Sequence, residues 1–169
     1  MNYSKIVRAV IMSAFIGCVS LSAQATNKTA TFLVSLTVSS DCSISANALP
    51  FGTATSALAT SPINQTTTLS VTCSNGTSYT LSLDKGTTTG STVTARLLAG
   101  TGSNVQTVQY QLYSDSGRST IWGDTSGGST VSGTGSGSAQ SITIYGQVPA
   151  QTIPTADNYS STETATITF

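Results

Sequence analysis

The sequence predicts an all-β protein, a sandwich of about seven antiparallel strands. Apolar residues alternate with polar ones at a period of two over most of the chain, which is typical of strands with one buried face. Short segments rich in Gly, Asn, Asp, Ser and Pro separate these runs and are typical of turns. No window has apolar residues at the 3.6-residue spacing of an amphipathic helix.

Hydroxyl side chains dominate the composition, and charged side chains are scarce. The 169 residues include 28 Ser and 31 Thr, whereas Lys, Arg, Asp and Glu together make up 7%. Nucleic-acid binding requires clustered Lys and Arg, so the few scattered basic residues exclude this class of partner. The chain has no His, the commonest general base and metal ligand. We therefore expect a protein that is not an enzyme and that holds no metal or cofactor.

The first 25 residues have the pattern of a secretory signal peptide. Lys5 and Arg8 precede an apolar run over residues 10–21, and small residues follow at the end of the segment. The apolar run is too short to cross a bilayer as a helix. We expect cleavage after Ala25, and no membrane insertion of the exported chain that remains, residues 26–169.

The signal segment contains one of the three cysteines, Cys18, so the exported chain keeps Cys42 and Cys73. Two cysteines with 30 residues between them in an exported protein predict one disulfide. A zinc site would need two further soft ligands, and there is no His to supply one. Lipid attachment at Cys18 is the alternative to cleavage at Ala25, but Phe15 stands where such signals usually carry Leu.

The first alternating run after the signal segment carries no charge. Its apolar side chains are Ala30, Phe32, Val34, Leu36 and Val38. At about 3.3 Å per residue this run extends about 30 Å, which is the length of a sandwich. An extended strand without a charged residue is an aggregation hazard in a free monomer. We therefore expect it to pair with other strands.

The same alternation predicts the strands that follow. Their apolar faces are Leu69/Val71/Cys73, Tyr79/Leu81/Leu83, Val93/Ala95/Leu97, Val108/Tyr110/Leu112, Ile142/Ile144 and Ala165/Ile167/Phe169. Turns are predicted at residues 74–77 and 84–86, where Asn, Asp and Gly tolerate a positive φ. Residues 126–138 are rich in Gly, Ser and Thr and predict a long mobile loop. No internal repeat divides the exported chain, so we expect a single domain.

Two further functions are open from the residues alone. An aromatic platform for sugars, in a secreted coat, matrix or glycan-binding protein, could be formed by Tyr110, Tyr113, Trp122 and Tyr145. A glycosidase needs two carboxylates about 5–9.5 Å apart, and Asp115 and Asp124 are the candidates. Most of the acidic residues lie at predicted turns, so we favour a structural or binding protein over a hydrolase.

Three segments resemble the spore coat protein U domain, in the order expected for that family. Residues 108–124 resemble its Tyr-x-Leu-Tyr-x-Asp…Trp-Gly-Asp segment, and residues 42–73 resemble its Cys…Phe-Gly…Cys frame. The sequence from residue 144 to the last apolar run resembles the C-terminal end of the family. Together the three segments cover nearly the whole exported chain.

The family includes subunits of archaic, Csu-type chaperone–usher pili, and the resemblance implies a specific architecture. Such a subunit is an immunoglobulin-like antiparallel β-sandwich that lacks its final strand. A periplasmic chaperone fills the gap, and an outer-membrane usher then replaces the chaperone by the N-terminal extension of a neighbouring subunit, which is a form of β-augmentation. The resemblance implies a pilin for adhesion and biofilm formation, located in the periplasm and then at the cell surface.

The resemblance also assigns roles along this chain. It divides the sequence into a signal peptide (1–25), an N-terminal donor strand (26–40) and a pilin domain (41–169), with the apolar residues 30–38 as donor residues. Ala165, Ile167 and Phe169 would form the edge strand that the chaperone pairs with, and no residues follow to make another strand. Glu163 and Ala165 replace larger apolar residues of the family. From the residues alone, the extension could equally be the first strand of a closed sandwich.

Overall fold

A computed structural model describes residues 24–169, which form an all-β fold. The strands are β1 (Cys42–Ala46), β2 (Ile63–Cys73), β3 (Ser78–Leu83), β4 (Arg96–Ala99), β5 (Thr107–Tyr113), β6 (Val131–Thr134), β7 (Gln140–Val148) and β8 (Ala165–Thr168). One short 3₁₀ helix, Ser56–Ala59, precedes β2. The signal peptide predicted for residues 1–25 lies almost wholly outside the described residues.

The eight strands of this described part form two antiparallel sheets. The five-stranded sheet has the order β1–β2–β7–β5–β4, and the three-stranded sheet has the order β6–β3–β8. β2 and β7 form the longest ladder, from Ile63 opposite Val148 to Val71 opposite Gln140. Thr and β-branched residues fill these strands, as expected for residues that fit a pleated, half-buried surface.

The inward side chains of both sheets form one apolar core. In β3, Tyr79, Leu81 and Leu83 are buried and alternate with Ser and Thr that face outward. Trp122 is fully buried in the same core, and its Nε1 donates a hydrogen bond to the Leu81 carbonyl at 3.2 Å. Burial of one such large side chain contributes about 1.5–3 kcal/mol. The predicted all-β sandwich is confirmed.

The predicted turns are present at both ends of β3. Gly76 has a φ of 81° in the turn between β2 and β3, and Gly86 has a φ of 78° just after β3. These values lie in the left-handed region, which a residue with a Cβ adopts at a cost. The Asn and Gly signals in the sequence therefore mark true reversals of the chain.

The predicted mobile loop over residues 126–138 is wrong in its centre, because this segment contains β6. β6 pairs with β3, from Leu81 opposite Val131 to Ser78 opposite Thr134. A Cβ at Gly133 would lie 2.5 Å from the Tyr79 ring, so only glycine fits there. Gly and Ser have low strand propensity, and the pairing with β3 overrides it.

The prediction for the fourth alternating run is correct for its first residue and wrong for the other two. The pattern placed Val93, Ala95 and Leu97 on the core side, and Val93 is buried, whereas Ala95 is exposed. In the structure β4 begins at Arg96, which lies opposite the inward-facing Tyr110 and is 0% exposed. Leu97 therefore faces away from the core.

The chain divides into two units, with the boundary between Thr37 and Val38. In the first unit, residues 24–37 belong to no strand, and their side chains are exposed. The second unit contains all eight strands. Among residues 24–169, no helix is long and apolar enough to span a membrane.

Candidate functional site

β1 and β8 are neighbouring edge strands of different sheets. Some of their Cα atoms lie within 8 Å of each other, yet no ladder joins the two strands within residues 24–169. β8 pairs with β3 on one side, from Leu83 opposite Ala165 to Thr80 opposite Thr168. Its other side presents backbone N–H and C=O groups that pair with no strand of the described chain. Such an edge is a template for another strand.

The core is incompletely covered between these two strands. The inward-facing residues of the central strand β3 are almost fully buried, whereas those of β1 and β8 are half-buried. Phe169, directly after β8, is 54% exposed. We call this region the uncovered edge, and it consists of Cys42, Ile44, Ala165, Ile167 and Phe169.

The structure thus places the three residues of the predicted chaperone-pairing strand at the uncovered edge. Ala165 and Ile167 lie in β8 and contact the core, and Phe169 follows its last residue. The pairing of a chaperone with these residues stays a prediction.

The predicted donor residues are exposed in the N-terminal segment. Phe32 and Leu36 are each 86% exposed, and Val34 and Val38 are similarly exposed. Ala30 is also exposed. Contiguous exposed apolar residues on this scale mark an interaction site or an aggregation hazard. Their role as donor residues stays a prediction.

Cys42 and Cys73 form the predicted disulfide, which is confirmed. The two residues lie opposite each other in the ladder, so the bond joins the start of β1 to the end of β2. It therefore holds β1, one side of the uncovered edge, against β2 of the five-stranded sheet.

Replacing both Cys42 and Cys73 by Ala should lower the free energy of unfolding by about 3–4 kcal/mol. The reason is that the disulfide reduces the number of conformations open to the unfolded chain. Urea unfolding followed by Trp122 fluorescence measures this change. Reduced wild-type protein is the control and should show a similar loss. An unchanged urea midpoint in the double variant would contradict the stabilising role.

A buried arginine lies at the start of β4. Arg96 has no exposed surface, and its guanidinium has partners on all sides. It donates to the carbonyls of Leu83 (3.3 Å), Asp84 (2.6 Å), Val93 (3.0 Å) and Trp122 (2.9 Å), to Gln111 Oε1 (2.5 Å) and to Glu163 Oε2 (3.2 Å). A buried charge is tolerated only when it is paired and fully hydrogen-bonded, and Arg96 meets both conditions.

Glu163 is the anionic partner of this arginine. Its other oxygen, Oε1, accepts hydrogen bonds from the hydroxyls of Tyr110 and Ser161. Burial raises the pKa of the Glu163 carboxyl, and the hydrogen bond from Tyr110 and the charge of Arg96 partly offset this effect. Burial and the neighbouring carboxylate raise the pKa of the Tyr110 hydroxyl, so it stays protonated and donates.

The proposed aromatic platform for sugars does not exist as a single surface. Tyr110 and Trp122 are buried in the core. Tyr113 and Tyr145 lie opposite each other on β5 and β7, and the Arg118 guanidinium lies 5.9 Å from the centre of the Tyr145 ring. The four residues are therefore divided between the core and one outer face.

The two candidate carboxylates of a glycosidase are each engaged in their own turn. Backbone N–H groups of Thr120 and Ser119 donate to Asp115 and lower its pKa. The side chain and backbone of Ser126 do the same for Asp124. Carboxyls with a lowered pKa are poor general acids, which need a raised one. Within the described residues, no group of three or more His, Cys, Asp or Glu could hold a metal ion.

Comparison with known families agrees with this architecture. The family model described as "Spore Coat Protein U domain" matches residues 28–166, which is most of the chain. The chain belongs to this family. In this chain, the spore coat protein U domain has a two-sheet all-β fold with an uncovered edge. A search of curated protein sequences gave no match.

A solved structure shares the fold. It is the crystal structure of the CsuC–CsuE chaperone–tip adhesion subunit pre-assembly complex from archaic chaperone–usher Csu pili of Acinetobacter baumannii. The match has a TM-score of 0.58 at 20% sequence identity and covers 79% of this chain. This chain spans 41% of the length of the matched one. The spore coat protein U domain described here therefore has the fold of a chaperone–usher pilus protein.

Sequence reasoning missed the pairing of Arg96 with Glu163. One signal was present: Arg96 interrupts an apolar run in which its neighbours are Ala95, Leu97 and Leu98. An isolated arginine inside an apolar strand indicates either an exposed position or a buried ion pair. The sequence offers no means of choosing Glu163 as the partner, since it lies 67 positions away.

Proposed function

We propose that this protein is a structural subunit of a chaperone–usher surface fibre that polymerises by donor-strand exchange. The N-terminal segment of one subunit, residues 26–40, adds as a strand to the uncovered edge of the next. The observation that carries this proposal is the uncovered edge itself, where β8 has a free side and the core is half-exposed. The family and the fold support it.

The donor segment and the uncovered edge are complementary in chemistry. The segment supplies large apolar side chains at alternate positions, and the edge lacks apolar cover. Burial of Phe32, Val34, Leu36 and Val38 at about 1.5–3 kcal/mol each gives on the order of 6–12 kcal/mol before ordering costs. Backbone hydrogen bonds to the free side of β8 add to the affinity, as in other cases of β-augmentation.

Insertion of the donor requires a local movement. Strands on either side of an inserted strand are about 9.5 Å apart, twice the spacing of neighbouring strands. β1 and β8 now approach within 8 Å, so they have to separate as the donor enters. The disulfide holds β1 on β2, while β8 is held along one side by β3.

The same edge requires protection before assembly. A free β8 edge and an exposed apolar segment would cause aggregation of unassembled subunits. A periplasmic chaperone pairing with Ala165, Ile167 and Phe169 would prevent it, and an outer-membrane usher would direct the exchange to neighbouring subunits. The protein then passes from the periplasm to the cell surface, where the fibre serves adhesion and biofilm formation.

A truncation and a peptide test this function. Protein without residues 26–38 should be unstable alone, and a synthetic peptide of residues 26–40 should bind it one to one and raise its melting temperature by at least about 10 °C, since several kcal/mol of apolar burial are restored. A scrambled peptide of the same composition, with the alternation removed, is the control. A truncated protein that is a stable monomer and ignores both peptides would overturn the proposal.

A further inference from the structure

The chain changes sheets immediately before β8. Ser160 forms a two-way backbone bridge with Ala99 at the end of β4, with both N···O distances 2.9 Å. Five residues later β8 begins and pairs with β3 in the other sheet. Glu163 lies within this short crossing, so its side chain can connect the two sheets.

Glu163 makes that connection through its two carboxylate oxygens. Oε2 accepts from Arg96 of β4 at 3.2 Å, and Oε1 accepts from the Tyr110 hydroxyl of β5. Both partners belong to the five-stranded sheet, whereas β8 belongs to the three-stranded one. The carboxylate therefore ties the start of β8 to the opposite sheet.

The Arg96 side chain, which binds Glu163, is itself held in place by other hydrogen bonds. Its guanidinium is also held by the carbonyls of Leu83 and Asp84, which lie at the end of β3. β3 is the only strand that pairs with β8 in the described chain. Arg96 thus binds both the strand that supports β8 and the residue that leads into it.

The chain leaves room for the Glu163 carboxylate at Gly86. A Cβ at Gly86 would collide with the carboxylate and with the Ser161 hydroxyl, and the φ of 78° there also favours glycine. Next to it, Asp84 Oδ1 accepts from the Thr164 backbone N–H at 2.9 Å, and Asp84 N–H donates to the Thr164 carbonyl. These contacts also hold the crossing against the segment that follows β3.

β8 itself is a weak strand. It has four residues and a partner on one side, and strands with few contacts open locally at low free energy. We propose that Glu163 is the positioning residue of the acceptor strand: by binding Arg96 and Tyr110, it keeps β8 ordered on β3 so that its free side is ready for an incoming donor. This role rests on the proposed function, because it concerns how the uncovered edge accepts the donor segment.

Full-length mature protein with Glu163→Ala or Glu163→Gln tests the role. Hydrogen exchange of β8 backbone amides should become about tenfold faster in Glu163→Ala, relative to amides of β2 in the same protein. The association rate of a fluorescent peptide of residues 26–40 should fall by a similar factor, because β8 must first reorder. Glu163→Gln keeps one acceptor oxygen and should fall between the wild type and Glu163→Ala in both measurements.

A matched control separates positioning from general loss of stability. Leu58→Ala removes a buried side chain in the 3₁₀ helix, where the Leu58 carbonyl accepts from the Gln151 N–H. This variant should destabilise the protein without a selective increase in the hydrogen exchange of β8. If Glu163→Ala fails to fold, Glu163→Gln is compared with Leu58→Ala instead. If the Glu163 variants match Leu58→Ala in the hydrogen exchange of β8 and in the rate of peptide association, the role of Glu163 is overturned but the proposed function is not. Wild-type protein that binds no peptide would overturn the proposed function as well.

Discussion

Replacing Arg96 by Met should lower the free energy of unfolding by about 3–5 kcal/mol, because removal of one member of a buried ion pair leaves the other charge without compensation. Glu163 would lose its counter-ion while half-buried, and the carbonyls around Arg96 would lose their donor. Domains of this size have total stabilities of about 5–15 kcal/mol, so the variant should be close to unfolded under mild denaturant. Urea unfolding, followed by the fluorescence of the single Trp, Trp122, measures the change.

Arg118→Met is the matched control for this change. The Arg118 side chain donates to the carbonyls of Gly146 (3.2 Å) and Ser116 (3.5 Å) and lies over the Tyr145 ring, and unlike Arg96 it is partly exposed. Arg118→Met should lower the free energy of unfolding by about 1 kcal/mol or less. Equal urea midpoints for Arg96→Met and Arg118→Met would contradict the structural role of Arg96.

The strands that the sequence predicts well are those in which one face is wholly apolar. In β3, β5 and β7 the apolar residues recur at every second position, and the structure buries them. Burial of one face fixes the register of a strand, since a shift of one residue would expose that whole face. The pattern and the structure agree because the same free energy determines both.

Prediction fails where contacts between distant parts of the chain decide the structure. The face of β4 is set by Arg96, whose partners come from distant parts of the chain and are invisible in the local pattern. β6 is set by its pairing with β3 and by the fit of Gly133 against Tyr79. Neither contact has a signature at short range, so the sequence alone assigned one strand to the wrong face and the other to a loop.

The candidate site, too, can be predicted from the sequence only in part. The sequence identifies the uncharged N-terminal run and the last apolar strand, because both are local patterns. It cannot show that β8 lies beside β1 without pairing, since that depends on the order of strands in two sheets. The structure adds this relation, on which the proposed pairing of a donor segment with β8 depends.

Replacing Leu36 by Asp should abolish assembly of the mature protein into fibres. In the proposed joint the Leu36 side chain is buried between β1 and β8, so the substitution removes about 1.5–3 kcal/mol of apolar burial. It also places a carboxylate without a partner in an apolar site, at a cost of several kcal/mol more. The sum corresponds to a decrease of at least about a thousandfold in donor affinity. Electron microscopy of the protein, co-expressed with the proposed chaperone and usher, would show whether fibres form.

Ser35→Asp provides the control, because it adds the same charge at the adjacent position. Side chains of neighbouring residues in a strand point to opposite faces, so Asp at position 35 would face solvent and leave assembly intact. Both residues are exposed in the free segment, so neither substitution should change the stability of the unassembled subunit. Loss of fibres in both variants would point to a general effect of charge, whereas fibres in both would exclude a buried role for Leu36. Only the alternating result, in which position 36 is sensitive and position 35 is not, agrees with a donor strand that buries one face.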